Sequence, residues 1–283
     1  MLKILIVEGN EKSLRDKGKK SGTLSQGELY QDTLESLADD LDCKVVFPAD
    51  PGSPLPKGKE LAAFDGIVWT GSALNIYDGG PAIDGQIAFM KACFEEKTRI
   101  FGSCWGLQVA IVAAGGEVTA NSKGRQIGIA KDIDLTEAGK SHPLYKDKPA
   151  VFDAINIHLD HTSRLPDGAV VLSRNDKSEV QAVEIRRGES VFWGVQYHPE
   201  FDLDYMSALI ARYEPILIAE GICKSKDDVK QWAEDFAKAQ KEGAEELQQK
   251  YGLSCDVLEP GKRLQEISNW LDFLRTPKSS AAA

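Results

Sequence analysis

Residues 99–116 read RIFGSCWGLQVAIVAAGG, a short apolar strand pattern that runs into a helical pattern across Gly102, Ser103, Cys104, Trp105 and Gly106. The glycines stand two positions to either side of the cysteine, the spacing of a nucleophile elbow. In such a strand-to-helix turn, side chains at the flanking positions would collide, and the central residue is held exposed in a strained conformation. A cysteine placed there sits at a helix N-terminus, whose dipole and free N–H groups favour the thiolate, the reactive form. A cysteine that only fills a core does not call for glycines on both sides, because each costs backbone entropy. Cys104 is therefore the candidate nucleophile, while Cys43, Cys93, Cys223 and Cys255 lack these surroundings and read as plain interior residues.

Working outward from this turn, the runs KILIV, KVVF and GIVWT have strand character. They alternate with helical spacing such as that of Tyr30, Leu34, Leu37 and Leu41. The alternation predicts an α/β fold with a mostly parallel central sheet flanked by helices. Residues 11–22, EKSLRDKGKKSG, are rich in lysine and glycine and read as a solvated flexible loop, with a mobile lid as the alternative. The breaker-rich PADPGSPLPKG after Phe47 reads as a second surface loop. From Gln126 to Gln196 the texture changes to closely spaced strands, which predicts a small antiparallel or mixed section. Beyond Phe201 the pattern is helical: Leu203, Met206, Ile210 and Tyr213, then Val229, Trp232 and Phe236, then Leu264, Ile267, Leu271 and Leu274. Ser225 and Asp228 suit a capping box, and the SSAAA tail reads as disordered. The expected division is a catalytic domain over residues 1–202 and a helical extension over 203–283 packed on it.

Lys+Arg 34 against Asp+Glu 44 leaves a formal charge of −10, a field that repels a phosphate backbone and argues against nucleic acid as a partner. Five cysteines, an odd number with no CxxC pair, give neither a disulfide framework nor a zinc ribbon and point to the cytoplasm. MLKILIVEGN has too short an apolar run for an export signal, and no stretch approaches the ~20 apolar residues of a membrane span. No metal or cofactor is expected.

A cysteine that cleaves an amide needs a histidine to take and return a proton, and a third group to orient the imidazole. Of the four histidines, His142 lies in a turn-like SHPLY segment, and His158 and His161 lie in HLDHTSRLPDGA, which reads as strand end and loop. His198 follows a buried-looking strand in FWGVQYHPEF, with Pro199 fixing the backbone and Glu200 two residues on. Residues i and i+2 of an extended segment point the same way, so Glu200 is placed to reach the imidazole.

The blocks GSCWGLQ and QYHPE, in this order, resemble the two signature blocks of class I glutamine amidotransferases. TGSALNIYD stands where that family has its oxyanion loop, and HLDHTSRLPDGA is similar to a segment of amidotransferase domains of the GMP synthase type. The likeness runs over roughly residues 1–202 and implies a flavodoxin-like class I amidotransferase fold. It also implies that Cys104 attacks the γ-carboxamide of glutamine or a γ-glutamyl compound, giving ammonia or an amine, a thioester and then glutamate. His198 becomes the general base and acid, and Glu200 its orienting carboxylate. Backbone N–H groups of Trp105 and of the Gly71-Ser72 turn become the oxyanion donors, and Gln108 falls at a position near the substrate. The family commonly has two glycines and a proline in the oxyanion loop. Here Ser72 and Ala73 follow Gly71, which keeps the N–H but alters the turn. Asp160 and His158 read as a structural loop network.

Three functions fit: an ammonia-donating glutaminase serving a separate synthetase, a free-standing γ-glutamyl amide or peptide hydrolase, and a catalytically silent binding protein. An ATP-activating loop of the GxxxxGK[ST] or SGGxDS kind is not found, so an acceptor domain would be another chain. The C-terminal amphipathic helices ending in NWLDFL cover their own core, a homodimer seam or a partner.

Overall fold

The computed structural model describes residues 1–20 and 22–277, so the expectation for the tail lies outside the described residues. Eleven strands are formed: β1 (Leu2–Val7), β2 (Leu41–Val46), β3 (Gly66–Trp69), β4 (Arg99–Ser103), β5 (Glu117–Ala120), β6 (Gln126–Leu135), β7 (Val151–His158), β8 (Asp160–Arg164), β9 (Val170–Arg174), β10 (Ala182–Arg187) and β11 (Ser190–Val195). Nine of them build one sheet in the order β2-β1-β3-β4-β11-β10-β9-β6-β7. The run β2-β1-β3-β4-β11 is parallel. It has the flavodoxin-like order, in which the winding reverses beside β1 and sites form at the carboxyl ends of the strands.

Successive side chains of a strand face opposite sides, and here both sides are buried. Ile4, Ile6, Val68 and Phe101 join a core with Tyr30 and Leu34 of the helix Gln26–Leu37 and with Ile267 and Trp270 of the last helix, Gln265–Arg275. Leu5, Val7, Ile67 and Trp69 face the helices Pro81–Glu95 and Trp105–Ala113 on the other side.

The antiparallel section is continuous with this sheet rather than set apart from it: β10, β9, β6 and β7 pair antiparallel beyond β11. A third core joins Ile155 and Ile157 of β7 to Phe201 and to the helices Leu203–Arg212 and Lys226–Glu242. Among the described residues no helix is long and apolar enough to cross a membrane.

Several local expectations are corrected. Residues Lys12–Lys20 form a helix rather than a flexible loop, with Gly18 buried. Helix-forming Lys, Arg and Leu outweigh the single glycine inside it. His161 and its neighbours belong to β8, not to a loop. Leu41 opens β2 instead of ending a helix. The reciprocal capping box occurs at Ser25 and Glu28. At Ser225 only the serine side chain caps, because the Asp228 carboxylate accepts from the Lys224 N–H. Cys255 is exposed and Cys43 half-buried, while Cys93 and Cys223 are interior.

Candidate active site

The parallel strands β1, β3, β4 and β11 end at one edge of the sheet, and the chain leaves each of them carrying a residue of the cleft. After β4 the backbone of Cys104 adopts φ 49° and ψ −98°, a left-handed conformation that a non-glycine residue adopts only under local constraint. Its N–H donates to the Val195 carbonyl at 2.7 Å, tying the elbow to β11. The flanking glycines are required by close approach. A Cβ on Gly106 would lie 2.7 Å from the Trp69 carbonyl oxygen, and one on Gly102 would lie 3.0 Å from both the Gly106 backbone and the Phe192 ring. The Trp105 indole N–H donates to Gln86 Oε1 at 2.8 Å, and Gln86 Nε2 donates to the Gly9 carbonyl, so the start of the elbow helix is anchored to the loop after β1.

His198 follows β11, and its N–H donates to the Ile155 carbonyl of β7. The ring stacks on Phe201 with centroids 3.9 Å apart and 5° between planes. Its Nδ1 donates to Glu200 Oε1 at 2.7 Å, which leaves Nε2 for Cys104, whose sulfur interacts electrostatically with the ring; the thiol itself donates to the Ile157 carbonyl at 3.7 Å. Burial alone would drive the proton off this imidazole. Glu200 and Cys104 outweigh that effect and push His198 up to about 10, so the ring is charged at neutral pH. The second oxygen of Glu200 accepts from Ser103 Oγ at 3.1 Å and from the Tyr30 hydroxyl at 3.2 Å, and these two hydroxyls contact each other. Neither Tyr30 nor Ser103 is among the site residues expected from sequence. Ser103 lies inside the elbow motif, so its position was legible, but Tyr30 comes from a distant helix and left no signal.

The turn after β3 approaches from the opposite side. Gly71 is needed because a Cβ there would lie 2.7 Å from His198 Cε1. The altered Ser72-Ala73 pair is clamped by Asn10, whose Oδ1 accepts from Ser72 Oγ at 3.1 Å and from the Ala73 N–H at 3.0 Å. Asn10 is in turn held by Glu8, which accepts its N–H at 2.9 Å and that of Gly27 at 2.8 Å. Among the described residues no acceptor takes the N–H of Ser72 or of Trp105.

Cys104 opens into a cleft of about 160 Å³ whose lining includes Ser72, Gln108, Asp160 and Tyr213. Gln108 is buried beside the thiol and reaches Gln196 at 3.4 Å. Asp160, expected to serve a loop network, also lines this cleft, and its Oδ1 accepts from Tyr77 at 2.9 Å. Burial raises its carboxyl, with Tyr77 and Arg125 opposing. Next to it His158 is pushed down to about 4, mainly by burial and against its hydrogen bond to the Asp160 carbonyl, so it is neutral at pH 7. Arg125, on the rim, forms a two-point pair with Glu220 at 2.9 Å and lies over the Tyr213 ring. His142 is elsewhere, paired with Glu184 at 3.2 Å. Among the described residues no group of three or more His, Cys, Asp or Glu side chains could hold a metal ion.

A thiol beside an imidazole that is hydrogen-bonded to a carboxylate, together with two unengaged N–H donors, forms the constellation of cysteine acyl-transfer sites. The model of the class-I glutamine amidotransferase family matches residues 33–213. The chain belongs to that family. It is an enzyme of the C–N hydrolase type. It is 36% identical over 284 residues to a gamma-glutamyl-L-1-hydroxyisopropylamide hydrolase of a Pseudomonas species, covering 98% of this chain and 94% of that one. It is 28% identical over 185 residues to the glutamine-hydrolyzing GMP synthase of Neisseria meningitidis, covering 60% of this chain and 34% of that one. Its fold is that of a glutamine amidotransferase from Methylobacillus flagellatus, with TM-score 0.66 and 16% identity over 100% of this chain and 99% of that chain.

Proposed function

We propose that this class I amidotransferase is a free-standing hydrolase of γ-glutamyl amides, with Cys104 as nucleophile, His198 as acid and base, and Glu200 as the carboxylate that orients and charges it. The observation that carries this reading is the left-handed Cys104 in electrostatic contact with His198, whose Nδ1 is fixed by Glu200 at 2.7 Å. In the reacting pair it is His198 that carries the proton. The sulfur bonds to the amide carbon, and the oxyanion is received by the N–H groups of Trp105 and Ser72. His198 passes its proton to the departing nitrogen, the C–N bond breaks, and a γ-glutamyl thioester remains. Water, losing a proton to His198, then adds its oxygen to the thioester carbon. The C–S bond breaks, glutamate leaves, and the proton returned to the thiolate–imidazole pair restores the enzyme.

Asp160 and Gln108 supply acceptors on the acyl side of the cleft, suited to the ammonium end of a γ-glutamyl group. Free-standing hydrolysis is favoured over delivery of ammonia to a synthetase by the reach of the likeness. The alignment with the Pseudomonas hydrolase spans the C-terminal helices, and those helices and the turns between them supply Arg212, Tyr213 and Ile216 to the hollows around the thiol. The GMP synthase likeness covers 60% of the chain and supports an ammonia-accepting partner as the second reading.

Release of amine and ammonia by purified protein from γ-glutamyl amides and from glutamine, followed by mass spectrometry of Cys104, tests the proposal. A γ-glutamyl adduct in wild type, and loss of turnover by at least about 100-fold in Cys104→Ser, is the expected result. Turnover undiminished in Cys104→Ser would sink it, and activity that appears only when a synthetase is added would favour the second reading.

A further inference from the structure

Two hollows meet at the thiol and the imidazole. Cys104, Gln108 and Asp160 line the first. The second, of about 100 Å³, is lined by His198 and lies across a neck formed by Ser72, Ala73, Ile157 and Tyr213, which border both. When an amide is cleaved, the acyl carbon bonds to the nucleophile while the departing nitrogen turns to the group that protonates it. A substrate across the neck therefore has its γ-glutamyl part with Cys104 and its amine with His198.

Gln26, which lines the second hollow, carries a buried acceptor with nothing to accept. Gln26 is 8% exposed, and its Oε1 is buried with no hydrogen-bond partner among the described residues. The orientation of this amide is determined. Its Nε2 donates to the Tyr205 hydroxyl at 3.0 Å, and that hydroxyl spends its own hydrogen on the Leu24 carbonyl at 3.4 Å. Oε1 consequently faces away from Tyr205. It lies 3.5 Å from the point where a Cβ on Gly71 would stand, and His198 Cε1 lies 2.7 Å from the same point. An unpaired buried acceptor beside the proton-donating imidazole is satisfied by the N–H of an amine bound there.

Leu14, Phe201 and Leu209 form an apolar stretch of the hollow's wall, and Asn10, Lys17 and Arg212 border it with polar and charged groups. Leu14 comes from the helix Lys12–Lys20, the lysine-rich stretch that the sequence presented as a loop. At about 30 Å³ for each water-sized group, the space takes a substituent of roughly three or four heavy atoms.

The geometry points to this hollow as the leaving-group subsite, with Gln26 Oε1 accepting the N–H of the departing amine and the wall selecting amines with a compact aliphatic substituent over ammonia. This inference rests on the acyl-transfer reading above. Glutamine leaves the wall unused, whereas a compact N-alkyl group covers it.

The test measures kcat/KM for glutamine, γ-glutamyl isopropylamide and γ-glutamyl isopropyl ester, whose leaving group offers no N–H. Wild type is expected to favour the isopropylamide over glutamine by about tenfold or more. Leu14→Trp, which fills the hollow from its outer wall, is expected to lower that ratio by at least about tenfold. Gln26→Met is expected to lower the amide-to-ester ratio by about tenfold. Because each readout is a ratio within one variant, partial loss of folded protein cancels. An isopropylamide no better than glutamine, or ratios that both variants leave unchanged, overturns the subsite while the thioester on Cys104 still forms. Absence of that thioester with every substrate overturns the acyl-transfer reading itself.

Discussion

An imidazole sealed from water ordinarily gives up its proton, and His198 keeps its own only because an anionic partner stands on one side and the thiol on the other. Folding raises its pKa from 6.5 to about 10, so the stabilisation it contributes is fully present below 6.5 and is lost as pH rises through about 10. In the proposed reaction the same proton is the one delivered to the leaving amine, and kcat/KM is therefore expected to hold to alkaline pH and fall near 10. In Glu200→Gln the strongest raising influence is gone. Its alkaline limb should move down toward 6.5, and kcat/KM at neutral pH should drop by at least about 100-fold. A pH–rate profile of the variant checks both, and an unmoved limb contradicts the role given to the carboxylate. Cys104, His198 and Glu200 were legible because each sits in a short local pattern whose spacing has a mechanical reason. Tyr30 and Gln26 were not, since their partners are brought to them only by the fold.

At the scale of elements, the strand-to-helix elbow depends on two absences, the missing side chains of Gly102 and Gly106. These are unequal. The atom facing Gly106 is a backbone oxygen of β3 at 2.7 Å, fixed within the sheet, whereas the nearest side-chain atoms facing Gly102 belong to the Phe192 ring at 3.0 Å. A Cβ at Gly106 must therefore move either the elbow helix or the strand. Gly106→Ala is expected to lose about 1–3 kcal/mol of stability, more than Gly102→Ala. Denaturant midpoints of the two variants compare them, and the reverse order would show that the aromatic ring, not the strand, is the rigid neighbour. The elbow was readable because strand, glycines and helix follow one another directly. The helix Lys12–Lys20 was not, because lysine and glycine content signals solvent exposure while the two residues that fix its role, Leu14 and Gly18, face inward one turn apart.

Across the whole molecule, the sequence showed every strand of the large sheet but not that β11, almost a hundred residues beyond β4 in the chain, would lie parallel beside it, with β10 leading into the antiparallel half. Pairing partners at such separations leave no local trace. The last helix is a further case: its apolar stripe was plain, its destination was not. Trp270 and Leu274 fill the place left by Gly66 in β3, where a Cβ would lie 2.7 Å from the indole and 2.5 Å from the leucine. Phe101 of β4 packs on Trp270 at 6.0 Å, and Arg99 closes the helix by donating to the Phe273 and Thr276 carbonyls at 2.6 and 2.8 Å. The Trp270 indole N–H has no acceptor among the described residues, so what its removal forfeits is packing alone. Trp270→Ala is accordingly expected to cost about 3–5 kcal/mol in denaturant unfolding. Its folded fraction should still turn over substrate, because the indole lies among the core residues of the sheet face and not in either hollow. A change below about 1 kcal/mol would mean that residues 265–275 cover the sheet without supporting it.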